Sequence, residues 1–302
     1  MNLKNIFQTG IRLTFRQNKF LLLLWLTNMV MSFVLVIPIY ALLIDNLQHS
    51  IFSDQLAIQF DYIWFLQFTS LYKSTINHLP LILYSIVGLY IIVQTFYSGG
   101  LISVFANPQK NHISDFFYGG VKFWFRFAKI LSLMLIFVII SFVINNLLGD
   151  FIQWMLRERD YQLAEFILRS LRYVILIFLI GIVMLISDYS KVVVGVNDNS
   201  KVFRSILDGM LFIKDNFTLV FSVFLITSIF GAIGAIVYNI VDIFVPVKPY
   251  PFLVLTFILQ QFLIIFRLLI RMLFVQTEVN IYKDISASYV DAEIKESTIG
   301  VK

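Results

Sequence analysis

Six stretches of this chain, residues 20–44, 79–105, 130–148, 171–187, 217–241 and 252–275, are predominantly apolar and bounded by charged or turn-forming residues. A helix needs roughly 17 to 25 such residues to cross about 30 Å of hydrocarbon. Lipid offers no partners to unpaired backbone amides, so each stretch is predicted as an α-helix, and none shows the alternation of a barrel strand. With 59% hydrophobic and only 14% charged residues, the chain has too little polar surface for an ordinary soluble domain. The fold class that follows is an all-α, polytopic helical membrane bundle.

Lys and Arg are shared unequally between the two sets of connections. The N-terminal segment, residues 106–129, residues 188–216 and the tail after 275 together hold 15, whereas the opposite loops hold 6. Positive loops stay cytoplasmic, so a multi-pass protein of the cell inner membrane with both termini cytoplasmic is expected. This asymmetry also accounts for the net charge of +5 without nucleic acid, because no basic patch stands apart from a membrane border. The first apolar run exceeds a signal-peptide core and lacks a small-x-small cleavage site, which reads as an uncleaved anchor.

A short pattern introduces alternate spans. Thr9-Gly10-Ile11-Arg12-Leu13-Thr14-Phe15-Arg16 with Lys19 aligns without a gap on Gly119-Gly120-Val121-Lys122-Phe123-Trp124-Phe125-Arg126 with Lys129. A weaker third copy, Ile213-Lys214-Asp215-Asn216-Phe217, matches Phe15 to Lys19, and Asn107 and Gly119 fall on Asn197 and Gly209 at one constant offset. Repetition of this kind predicts one copied unit, a cytoplasmic amphipathic helix followed by a span out and a span back. Three such hairpins, about 1–105, 106–197 and 198–284, make a single membrane domain, with 285–302 a flexible cytoplasmic tail.

The outer connections differ. Leu56, Phe60, Ile63, Trp64, Phe68 and Leu71 recur at helical spacing and predict an interfacial helix within 45–78. The mixed charges of 149–170 predict extensions of the flanking helices, and three prolines stiffen 245–251. Gly99-x-x-x-Ser103 and Gly231-x-x-x-Ala235 mark places where backbones approach closely. The layout of Gly99-Gly100 closing an even span, then Ser114-Asp115-Phe116-Phe117-Tyr118-Gly119 opening the next unit, resembles the membrane domain of glycerophosphoryl diester phosphodiesterases and related bacterial six-helix membrane proteins. The resemblance implies a six-helix fold over most of the chain. The catalytic barrel of those phosphodiesterases has no counterpart in it.

Catalytic signatures are sparse. The chain has no cysteine, which removes disulfides, thiolate catalysis and thiolate-bound metal. His49, His78 and His112 lie outside the spans, and HExxH, Gly-x-Ser-x-Gly and Walker patterns are absent. Asp45 and His49, four residues apart, with His78 nearby across the same loop, form the one constellation with metal-ligand character, and three such residues fall short of a zinc site, while Asp45 just outside the first span has the placement of a catalytic acid. No cofactor, metal or catalytic residue is expected.

Polar residues inside spans are costly and so informative. Asn28 and Gln94 are read as interhelical hydrogen bonders. In the sixth span Gln260, Arg267, Arg271 and Glu278 fall within about 40° of one another at the helical repeat, forming one polar stripe. Arg267 sits about two turns, roughly 12 Å, from the cytoplasmic end, where snorkelling is strained. Asp188 and Glu278 are the carboxylates at similar depth and the expected charge partners, and an anion or lipid-headgroup pocket at Arg267, Arg271 and Gln260 is the functional alternative to a purely structural ion pair. The expected function is therefore a non-enzymatic envelope component that faces lipids, including anionic ones, or binds a protein partner. Its rivals are a small transporter or permease using the polar interior near the sixth span, and a membrane enzyme using Asp45 and His49.

Overall fold

A computed structural model describes residues 3–47, 56, 61–107, 112–156, 162–246 and 251–299. Among them run nine helices: α1 (Leu3–Phe15), α2 (Asn18–Leu47), α3 (Tyr62–Leu71), α4 (Lys73–Ala106), α5 (Ile113–Leu156), α6 (Gln162–Asn197), α7 (Val202–Asp215), α8 (Phe217–Phe244) and α9 (Pro251–Ile299). Six of these, α2, α4, α5, α6, α8 and α9, are long and apolar enough to cross a membrane, in agreement with the six apolar runs. The protein is all-α and polytopic.

The described residues group into two compact units. The first comprises Met1–Gly10, Ser98–Leu225 and Phe274–Lys302, and its core gathers Ile6, Leu185, Tyr189, Ile213, Val220, Val223 and Ile281. Small residues let its helices close on one another, since lipid supplies no hydrophobic drive for helix association and packing must come from close approach. A Cβ on Gly100 of α4 would lie 2.7 Å from the Phe116 carbonyl oxygen of α5, and one on Gly209 of α7 would lie 3.2 Å from the Ser190 nitrogen of α6. The start of α5 is capped by Asp115, whose carboxylate accepts from the His112 backbone N–H at 3.1 Å. The end of α4 is met by Lys283, whose ammonium donates to the Ala106 carbonyl, a cation placed on the negative end of a helix.

Asp198 ends α6 in the left-handed region at φ 50°, a conformation that Asp and Asn tolerate better than other side-chain-bearing residues. Its carboxylate accepts from Lys122 at 2.6 Å and from Arg126 at 2.9 Å. These hydrogen bonds, the one from Lys122 first, hold the Asp198 carboxyl below the usual aspartate range.

The second unit comprises Ile11–Tyr97 and Ile226–Leu273. Asp61 caps α3 by accepting from the backbone of Ile63 at 2.8 Å and Trp64 at 3.2 Å. Trp64 stacks on Phe68, and Ile63 and Leu71 are exposed; α3 carries the part of the expected interfacial helix from Ile63 to Leu71. Leu56 stands alone and Phe60 lies outside the described residues. Gly234 of α8, rather than Gly231, makes the close approach: a Cβ there would overlap the Phe266 ring of α9, whereas at Gly231 it would make an ordinary 3.6 Å contact with Ile270.

Two expectations are corrected. The amphipathic segment before the third span is not a separate helix: α5 is continuous for 44 residues, because nothing in Phe123-Trp124-Phe125-Arg126 breaks it. α9 continues as helix to Ile299, and no Gly or Pro follows Pro251 before Gly300. The repeat aligns Ile213 with Phe15 and Phe125 and so predicts equivalent packing, but Ile213 does not pack like them. It is 6% exposed, whereas those are 57% and 70% exposed. By burial Ile213 stands instead with Phe123, at 3%. The burial order Ile6, Gly10, Gln17, Phe20, Leu24 is met again, at identical spacing, in Phe116, Gly120, Phe127, Ile130, Met134.

Candidate functional site

In the second unit, three helices each present a stripe at helical spacing to one cavity of about 520 Å³. Asn28, Met31, Ser32 and Leu35 come from α2, Ile86, Val87 and Tyr90 from α4, and Ile264, Arg267, Leu268 and Arg271 from α9. Residues three, four and seven apart share a helix face, which is why an apolar run with a few polar substitutions at that interval builds a polar wall inside lipid.

The polar groups form a relay. The Arg271 guanidinium donates to Gln94 Oε1 and reaches the Gln94 backbone carbonyl at 3.5 Å. Gln94 Nε2 donates to Asn28 Oδ1 at 3.2 Å, and the Tyr90 hydroxyl donates to the same oxygen at 2.9 Å. Thr27 and Tyr97 share a hydroxyl–hydroxyl hydrogen bond at 2.6 Å, and Trp25 Nε1 donates to Gln261 Oε1 at 3.0 Å. These bonds tie α2 to α4 and α9, so the cavity wall is held by side-chain geometry rather than by apolar contact alone.

No acidic residue lines the cavity among the described residues, and Arg271 donates to a neutral amide at its wall. Arg267 is exposed on the cavity wall and makes no hydrogen bond or ion pair among the described residues. An arginine stays charged in any protein environment, and an ion held away from water without compensation costs several kcal/mol. The arrangement presents a rigid array of donors, suited to an oxyanion.

The other predicted site residues are placed as follows. Gln260 is exposed and is not among the cavity-lining residues, while its neighbour Gln261 takes the packed position. Asp188 and Glu278 belong to the first unit, where Asp188 pairs with Lys191 of its own helix at 2.9 Å and Glu278 is buried. Asn28 and Gln94 meet as expected of interhelical hydrogen bonders. Ser32 carries no mark in the sequence that sets it apart, whereas Tyr90 lies one turn from Gln94 on the same face. Asp45 accepts from the Tyr72 hydroxyl at 3.4 Å, and His49 and the side chain of His78 lie outside the described residues. The described residues hold no group of three or more metal-ligating side chains. No family model, curated protein or solved structure matches the chain.

Proposed function

We propose that this integral membrane protein is a non-enzymatic component of the cell envelope that holds an anionic lipid headgroup against Arg267 and Arg271. The observation that supports the reading is a three-helix cavity carrying two arginines and no lining carboxylate among the described residues. A phosphate oxygen there meets guanidinium forks, which suit phosphate better than an ammonium does. With the basic connections on the inner side, the termini are cytoplasmic and the headgroup comes from the inner leaflet. Kinship with the phosphodiesterase membrane domains belongs to the same proposal, as a shared scaffold without the hydrolase.

Transport through the same cavity is the rival. It would draw on spans broken near the membrane midplane, and α2 instead runs unbroken through Pro38. Native mass spectrometry of the purified protein decides: wild type is expected to retain anionic lipid and Arg267→Ala to lose it. Retention of zwitterionic lipid alone, equal in both proteins, would refute the reading.

A further inference from the structure

A second cavity, of about 470 Å³, lies between α8 and α9 and is built differently. Its α8 wall runs from Phe230 to Val241 and its α9 wall from Leu259 to Phe266, on a face of α9 other than the one that carries Arg267 and Arg271. Gly234 lets the Phe266 ring close against α8, while Phe230, Val237, Val241 and Phe262 are exposed. The Tyr238 hydroxyl is the one polar side-chain group among the lining residues. From Phe230 to Val241 the α8 wall measures about 16 Å at 1.5 Å per residue, close to one leaflet's share of about 30 Å of hydrocarbon. The apolar run 217–241 ends at Val241, so the groove occupies the half of the span next to the α8–α9 connection. A groove one leaflet long fits an acyl chain, whereas a partner's transmembrane helix would cross both leaflets.

Charge decides which lipid. Asp242 is half-buried one turn beyond Tyr238 on the same helix face, and α8 contains no Lys or Arg. Neither the Asp242 carboxylate nor the Tyr238 hydroxyl has a partner among the described residues. We infer that this groove holds one acyl chain of an amine-headed phospholipid, from the leaflet next to the α8–α9 connection, with the Asp242 carboxylate taking its primary ammonium. An ammonium brings three N–H donors to a carboxylate that only accepts, and such charge-assisted hydrogen bonds are the strong ones. A choline headgroup carries the same charge but no N–H, and a glycerol headgroup leaves the lipid anionic beside an anion. The Tyr238 hydroxyl, one turn deeper, donates to an oxygen of the lipid above its chain.

The test is native mass spectrometry of the full chain in neutral detergent, titrated with phosphatidylethanolamine, phosphatidylcholine or phosphatidylglycerol of the same acyl chains. Wild type is expected to bind phosphatidylethanolamine about two- to fivefold more tightly than phosphatidylcholine, the size of one partly exposed ion pair. Asp242→Asn should remove that lead, because the carboxylate is what distinguishes the two headgroups. Val237→Trp, which fills the groove, should lose phosphatidylethanolamine and keep the anionic lipid proposed for Arg267, whereas Arg267→Ala should do the reverse. The two sites therefore stand or fall separately. Should Val237→Trp fail to fold, the wild-type comparison and Asp242→Asn still decide. Equal binding of the amine and choline lipids by wild type overturns the inference, and so does a lead that survives in Asp242→Asn. Retention of phosphatidylethanolamine by folded Val237→Trp at the wild-type level also overturns it. A lipid-free dimer that Val237→Trp dissociates would give the groove to a second copy of the chain and overturn the lipid as its occupant.

Discussion

At the scale of single residues, two glycines of one helix separate packing from propensity. Gly100 faces the Phe116 backbone and ring, so a methyl group there has nowhere to go unless α4 and α5 move apart. Gly100→Ala is expected to destabilise by about 1–3 kcal/mol, the usual range for overpacking. Gly88 has nothing within 4 Å, and Gly88→Ala is expected to be neutral or stabilising by up to about 1 kcal/mol, since only helix propensity changes. Unfolding midpoints in detergent compare the two. Asp198 makes a second residue-scale prediction, about pH. Its carboxyl is held below its unfolded value by Lys122 and Arg126, so the stabilisation is complete above the unfolded pKa, about 3.9, and is lost as pH falls through the lower folded value. The side chain is 52% exposed, so the effect is at most about 1 kcal/mol. Asp198→Asn keeps a residue that tolerates the left-handed backbone and removes only the charge. It should lower the midpoint at pH 7 and flatten its decline between pH 5 and pH 2, and an unchanged acid limb would count against the bridge.

At the scale of elements, the burial of Phe123 and the exposure of Phe125 give a test of register. Phe123→Ala is expected to cost about 3–5 kcal/mol, as for a buried aromatic truncated to a cavity, whereas Phe125→Leu should stay within about 0.5 kcal/mol. Similar costs for both would mean that α5 is rotated from the placement described. The six spans were legible because a membrane helix needs little more than length and apolarity. The joint between amphipathic segment and span was not. Arg16-Gln17 breaks the helix and Arg126-Phe127 does not, although the two flanking sequences align residue for residue. Two things differ: Asn18, a helix-starting residue, stands where Ala128 continues the helix, and Gly100 and Gly119 seat the start of α5 against α4, a neighbour of which local sequence carries no trace. Of the candidate site, the arginines, Asn28 and Gln94 were visible as polar residues in apolar runs. Their grouping was not, because helical periodicity gives a face of one helix and not the helix it meets. The stripe through Gln260 and Glu278 followed α9 alone, and the cavity takes only its middle, Arg267 and Arg271, together with two other helices.

For the whole molecule, the topology proposal makes its own prediction. The chain contains no cysteine, so single cysteines introduced at Ser53 and Ser297 report without background. An impermeant thiol reagent applied to intact cells should label the first and not the second, and equal labelling would overturn the orientation. The helices themselves are unequal. α5 has 44 residues, about 66 Å at 1.5 Å per residue, against 28 residues and about 42 Å for α8. Mismatch is set by the apolar stretch rather than by the whole helix. The runs 171–187 and 130–148 cover about 26 and 29 Å, against about 38 Å for 217–241 and a hydrocarbon layer of about 30 Å. α6 and α5, long as helices, therefore have no apolar surplus to tilt, and lipids a few carbons longer act on them first.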